Sequence, residues 1–289
     1  MIKVAVQFSG MTRCLDECYE SHLRFFENRN DIQFDFFMHT WDETFYDEGV
    51  RQRIERNRGI KVSDDIIHTD KLAVVEKLNS IYNPISLMVE SQDDSCQMNR
   101  DVKATQTLHN LTSAEPWLNL FTSDDPKRIR PSLNIPQTYS MSKVNDLCHE
   151  YSRSNNIEYR LTIRTRFDLM FSSSPQDREH FMESIERKIY DVHDNSISFS
   201  LHTDNKRTFV NDAFFLGPYQ NMNFVLTELY RSKLKEIYSD DYTFLQEGFL
   251  MRVMNGYNRP NMRQSFDFNL NKYFIYLLKR KTKDDCIAH

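Results

Sequence analysis

Two arginines and an aspartate at alternate positions are the residues in this chain best placed to do chemistry. They lie in the stretch Tyr159 to Phe171, YRLTIRTRFDLMF, where Thr162, Arg164, Arg166 and Asp168 follow one another two apart. In an extended chain such residues point to one side. Leu161, Ile163, Phe167 and Leu169 occupy the other set, broken only by Thr165, which is the pattern of a strand with one apolar face. On an edge strand the charged set would be a solvated face. On a buried strand whose polar end opens into a cleft, it would stand where open α/β sheets bind ligands. Arginines there can neutralise a phosphate bidentately, and Asp168 could take a divalent metal ion or a sugar hydroxyl. The rest of the chain is read around that second possibility.

The elements needed to position such a cleft can be traced in order. Ile2 to Phe8 is a short apolar, β-rich run that ends in Ser9-Gly10-Met11-Thr12-Arg13, and Leu15, Tyr19, His22, Leu23 and Phe26 then recur at helical spacing. A strand, a turn of small residues and a helix open a βαβ unit. Such a turn offers backbone N–H groups, the hydroxyls of Ser9 and Thr12, and Arg13 to a phosphate or nucleotide; an ordinary turn with a surface arginine is the alternative. Ile32 to His39 is a second strand, closing on His39-Thr40-Trp41-Asp42, where His39 is either structural or part of the same polar edge.

Lys71 to Leu78 and Asp101 to Leu111 look helical, Tyr82 to Ser95 looks irregular, and Pro116, Pro126, Pro131 and Pro136 break the chain repeatedly. Residues 80–136 are therefore expected to form an insertion or lid, between a nucleotide-binding part (1–79) and a part carrying the central strand and acceptor site (137–289), all in one domain. Pro136 is expected just before a helix with Met141, Val144, Leu147, Cys148 and Tyr151 as its apolar stripe. That would put Lys143 near a helix N-terminus, as an anion site or a surface lysine. Further helices are expected over Gln176 to Ile189 and Asn223 to Leu234, and a strand over Ser196 to Leu201. Asp212 begins an apolar run closed by Gly217-Pro218, and Glu247 sits among apolar residues at a helix start. Strands alternating with helices predict an α/β fold with a mostly parallel sheet.

Composition limits the function classes. The chain of 289 residues has 39% apolar and 27% charged residues, enough to bury a sizeable core. With six glycines there is no glycine-rich phosphate loop of either common type. A formal charge of -5 offers no general attraction to nucleic acid, and no apolar stretch is long enough to span a bilayer. Five cysteines, an odd number, do not suggest a disulfide framework, and no signal peptide precedes the first strand pattern. A soluble, reducing compartment, the cytoplasm, is the expectation.

In this order the pieces resemble a group of glycosyltransferase-like proteins found in viruses and bacteria. The resemblance rests on QFSGMTRCLDECYES, FDFFMHTWD, QTYSMSKVNDL, IRTRFDLMF, NDAFFLGPYQNM and LQEGFLMRVM, and is weakest over Gly49 to Ser132. It implies a GT-A-like (Rossmann-like) fold that transfers a sugar from a nucleotide-diphosphate sugar to a hydroxyl of a glycan or glycoprotein acceptor, in the host cytoplasm if the protein is viral. GT-A enzymes usually carry Asp-x-Asp at the end of the central strand, holding Mn²⁺ or Mg²⁺ against the diphosphate. Here the matching place reads Arg164-Thr165-Arg166-Phe167-Asp168. Either Asp168 still holds a metal ion, or the arginines take over as counter-charge. Ser9, Gly10, Thr12, Arg13 and His39 would meet the donor's nucleotide, and Arg164, Arg166 and Lys143 its diphosphate. Asp212 and Glu247 are the candidate general bases, needed only if the reaction inverts configuration. A catalytically inactive carbohydrate- or nucleotide-sugar-binding protein of the same fold is the alternative, and an enzyme of phosphoryl or sulfuryl transfer a third.

Overall fold

The computed structural model describes residues 1–29, 31–44, 67–92, 96–108, 129–191, 196–203, 208–236, 263–266 and 274–276. It begins with strand β1 (Ile2–Ser9), helix α1 (Leu15–Phe25) and strand β2 (Ile32–Trp41), then a small ribbon of β3 (Glu43–Thr44) with β4 (Ile67–His68). Next come α2 (Lys71–Tyr82), β5 (Ser86–Glu90), α3 (Gln97–Leu108), α4 (Ile129–Ser154), β6 (Tyr159–Thr165) and β7 (Leu169–Phe171). The remainder is α5 (Pro175–Tyr190), β8 (Ser196–Thr203), β9 (Thr208–Pro218), α6 (Tyr219–Glu236), β10 (Arg263–Phe266) and β11 (Phe274–Tyr276).

Seven strands make one sheet in the order β10-β8-β9-β6-β1-β2-β5. β1 runs parallel to both β2 and β6, β5 is parallel to β2, and β10 is parallel to β8. β9 is antiparallel to β6 on one side and to β8 on the other. The expected α/β fold with a mostly parallel sheet flanked by helices is what forms. The chain steps from β1 outward to β2 and β5, then returns to lay β6 on the opposite side of β1. The order therefore reverses between β1 and β6. At such a switch point the connections leave in opposite directions, and a crevice opens outside the carboxyl ends of the strands.

Alternation along the strands sorts the core into two layers. Val4, Val6 and Phe8 of β1, Phe34 and Met38 of β2, and Leu161 and Ile163 of β6 face α1, α2 and α5. Phe8 is fully buried there, its ring 5.3 Å from Phe167 and 5.5 Å from Tyr82. Each such phenylalanine contributes about 2–3 kcal/mol of burial. On the other face Ala5 and Phe37 meet Val144 and Cys148 of α4, while Phe199 and Phe215 meet Met222, Val225 and Leu226 of α6. Helix starts follow local chemistry. The side chain of Asp70 accepts from the Leu72 N–H ahead of α2, and Ser174, followed by Pro175, caps α5 through the Asp177 N–H.

Three expectations are corrected. Tyr159 to Phe171 is not one strand: β6 stops at Thr165, the chain turns through Arg166–Asp168, and β7 pairs antiparallel with β11 in a separate ribbon. The cause is local, because Arg166 and Asp168 grip one another across the turn while Phe167 drops into the core. The stretch 82–95 is not all irregular, since Ser86–Glu90 is the edge strand of the main sheet, too short for its pattern to declare itself. Finally, Pro136 lies inside α4 rather than before it. Burial of Ile135, Tyr139, Met141, Val144 and Cys148 on that helix outweighs the one backbone hydrogen bond that proline forgoes. Within 80–136, the described residues are the end of α2, β5, α3 and the first turns of α4; residues 93–95 and 109–128 lie outside them. Among the described residues no helix is long and apolar enough to cross a membrane.

Candidate functional site

The crevice between β1 and β6 is where the sequence's candidate residues meet. Ser9 ends β1, and Gly10 follows with φ +114°, a backbone shape that side-chain-bearing residues rarely adopt. A Cβ at Gly10 would meet no atom within 4 Å, so the requirement for glycine is one of backbone geometry and not of space. The turn is tied down from α4: the Gly10 N–H donates to Ser140 Oγ at 2.9 Å. Thr12 closes the turn through its carbonyl, which accepts from the Leu15 N–H, and Arg13 stands at its end.

From the other side, β6 brings Arg164. It is wholly buried, donates from Nε to Ser9 Oγ at 3.1 Å, and lies with its guanidinium 5.8 Å from the Phe215 ring centre. A residue beyond β6, Arg166 forks onto Asp168 with Nε to Oδ1 at 2.8 Å and Nη2 to Oδ2 at 2.6 Å. Arg13 reaches the same Oδ2 at 3.9 Å. Asp168 is 1% exposed, so burial alone would push its carboxyl up; the charges of Arg166 and Arg13 and the hydrogen bonds outweigh that and hold it below the usual aspartate value. Two guanidiniums, those of Arg166 and Arg13, thus face one carboxylate at the switch point, with that of Arg164 on the neighbouring strand bonded to Ser9.

A second cluster covers the end of β2. His39 Nε2 lies 2.8 Å from Glu90 Oε2 and its Nδ1 lies 2.8 Å from Ser140 Oγ. Burial lowers the His39 pKa despite the carboxylate beside it. The consistent arrangement is a neutral ring donating from Nε2–H to Glu90 and accepting the Ser140 hydroxyl at Nδ1. Burial alone would raise Glu90, but hydrogen bonds from His39 and Tyr139 bring it below its ordinary value. His39 therefore acts as a support that runs through Ser140 to the Gly10 turn.

Beneath Asp168, His22 is wholly buried between Tyr82 Oη and the Leu169 carbonyl, each 2.6 Å from a ring nitrogen. Burial drives its pKa down to about 4, against the pull of the Leu169 carbonyl and Asp168.

Of the remaining candidates, Lys143 is not at a helix N-terminus. It lies well inside α4, over the Tyr139 ring at 5.3 Å and 3.8 Å from Asp146, and its charge is felt by both His39 and Glu90. Its place is beside the crevice, but the dipole argument for it does not apply. Asp212 lies on β9, three residues before Phe215, which pairs with Arg164. Because β9 runs antiparallel to β6, this puts the Asp212 backbone toward the carboxyl end of β6, the edge that carries the arginines. Glu247 lies outside the described residues. Glu90 and Tyr139 were missed; Glu90 is the charged end of a five-residue strand, and Tyr139 reads as one more helix aromatic.

The fit of a divalent cation can be tested on this donor set. Mg²⁺ and Mn²⁺ want about six hard ligands, chiefly oxygens. Both Asp168 oxygens already accept from Arg166, and among the described residues no group of three or more His, Cys, Asp or Glu side chains could hold a metal ion. These residues do not fit the metal that the GT-A resemblance implies. A cavity of about 580 Å³ lies elsewhere, where the end of α4 and the start of β6 meet the β9–α6 turn, and it shares none of these side chains. Charge and topology, rather than hollow volume, single out the crevice. No protein-family model matches this sequence, and no curated protein matches it.

Proposed function

We propose that this protein is a glycosyltransferase of GT-A-like fold, moving a sugar from a nucleotide-diphosphate sugar to a hydroxyl of a glycan or glycoprotein acceptor. The observation that carries the reading is the meeting of Ser9, Gly10, Arg13, Arg164 and Arg166 at the switch point between β1 and β6. An open α/β sheet receives a nucleotide there, and a diphosphate needs fixed positive charge there. In this reading the β1–α1 turn, with Thr12, meets the nucleotide, and Arg13 and Arg166 meet the diphosphate. Buried Arg164 acts through its charge and by fixing Ser9. His39 and Lys143 support the turn and the field around it.

The reaction breaks the bond between the sugar's anomeric carbon and the diphosphate oxygen and forms one to the acceptor oxygen. The transition state is oxocarbenium-like, so the leaving oxygen gains negative charge as the bond stretches, and guanidiniums already in place stabilise it without reorganising. In an inverting reaction the acceptor's proton passes to a base, for which the position of Asp212 on β9 suits it; Glu247 remains the second candidate.

Incubation with a panel of UDP-, GDP-, CMP- and dTDP-sugars and mixed glycan acceptors tests this, reading released nucleotide and glycosylated product together. Turnover of one donor supports transfer. A second reading, binding of the nucleotide sugar without transfer, is favoured by one feature: Asp168 is locked between two guanidiniums and so is a poor base. Donor binding with no product would select it.

A further inference from the structure

We propose that Arg13 and Arg166, seated on Asp168, form a guanidinium pair that takes the donor's diphosphate without a divalent cation, so that Asp168 is a positioning residue and not a metal ligand. This rests on the transferase reading only for the identity of the ligand; the anion site stands on its own geometry.

The two arginines come from opposite sides of the crevice. Arg13 ends the β1–α1 turn and Arg166 follows β6, the two strands between which the sheet order reverses. A diphosphate lying across the switch point would be met from both. Their side chains are 14% and 18% exposed, while the Asp168 side chain is 2% exposed. The carboxylate is thus the more deeply buried partner, and it is the guanidiniums that reach solvent. Asp168 itself is fixed from below: its neighbour Phe167 is fully buried, and the carbonyl of Leu169 lies 2.6 Å from His22 Nε2.

The two-point fork of Arg166 sets the plane of its guanidinium, which is the orientation a bidentate phosphate contact needs. A metal ion could reach Asp168 only by breaking that fork, and would then sit against two fixed cations. The same two groups that exclude Mn²⁺ or Mg²⁺ supply the charge it would have brought.

Titration calorimetry with inorganic pyrophosphate, in EDTA and then in excess Mn²⁺, tests this on the full chain. Binding is expected in EDTA, and equal or weaker with Mn²⁺, which competes for the free diphosphate. Arg13→Lys and Arg166→Lys keep the charge but lose the planar guanidinium and its paired donors, and each should weaken binding by about tenfold or more. Asp168→Asn should leave binding just as indifferent to metal. Pyrophosphate binding that appears only with Mn²⁺, or none under either condition, overturns the inference. So do lysine variants that fold and bind like the parent.

The two readings fail separately. Donor turnover that requires Mn²⁺ keeps the transferase and removes the metal-free site. Metal-free pyrophosphate binding with no affinity for any nucleotide sugar keeps the site and removes the transferase.

Discussion

Replacing Arg166 by alanine should change how stability depends on pH, and not only how much stability there is. In the parent, Asp168 is buried and held below the usual carboxylate range by Arg166 and Arg13. A carboxyl depressed on folding contributes stability that is present above its unfolded value of about 3.9 and is lost as pH falls through the folded value. Without Arg166, the desolvation that already opposes ionisation faces Arg13, 3.9 Å away, and a backbone hydrogen bond. The carboxyl then rises above its unfolded value, and the sign reverses: stability falls as pH rises through the new value. Breaking a fully buried ion pair costs about 3–5 kcal/mol. Because Arg166 is 18% exposed and Arg13 remains, the cost here should be about 2–3 kcal/mol at pH 7. It should shrink at pH 5, where protonation relieves the stranded charge. Urea unfolding of parent and variant at both pH values reads this directly. Arg166→Ala/Asp168→Asn should lose less than the two single changes added together, since removing both partners leaves no stranded charge. Equal loss at pH 7 and pH 5, or strict additivity, would show that Asp168 does not depend on Arg166.

Other consequences follow from single contacts. His22, neutral and driven to about 4, binds no proton in the fold where the unfolded chain does, so stability should drop as pH falls from about 6.5 toward that value, by up to about 3 kcal/mol. Proton NMR of the His22 ring checks it, and a midpoint near 6.5 would contradict the burial argument. Gly10→Ala puts a side chain at φ +114° and should cost roughly 1 kcal/mol or more, while moving the N–H that reaches Ser140; donor affinity should fall further than stability, measured side by side. Gly217→Ala would bring a Cβ to 2.9 Å from Ile197 Cγ1 and 3.2 Å from its Cα, across the β8–β9 pair. A loss of about 1–3 kcal/mol in urea unfolding is expected, with no effect on the crevice.

Much of the fold was legible because its elements are written in strong local patterns. The run Ile2 to Phe8 forms β1, and the stripe Leu15-Tyr19-His22-Leu23-Phe26 and the pair Leu161 and Ile163 pack into the core. What stayed hidden depends on contacts between distant residues. Alternation over Arg164, Arg166 and Asp168 suggested one straight strand, but the pairing of Arg166 with Asp168 is a turn, and it ends β6 there. The same spacing thus singled out residues that gather at the end of β6, though not along one strand. Pro136 signals a helix start by its own chemistry, and only the burial of Ile135 and Tyr139 shows the helix passing through it. Glu90 is joined to His39 by parallel pairing of β5 with β2, across 51 residues, a distance that local pattern does not reach.

The most direct test of the account is a thermal-shift titration of the parent with UDP-, GDP-, CMP- and dTDP-sugars in EDTA, carried to millimolar donor. A ligand that binds only the folded state stabilises by mass action, by about 2.7 kcal/mol at a hundred times its dissociation constant. The account predicts a rise for one nucleotide class, smaller in Arg166→Lys when each protein is compared with its own ligand-free melting temperature. No rise with any donor, or a rise that Arg166→Lys keeps in full, would contradict the claim that the crevice between β1 and β6 is the donor site.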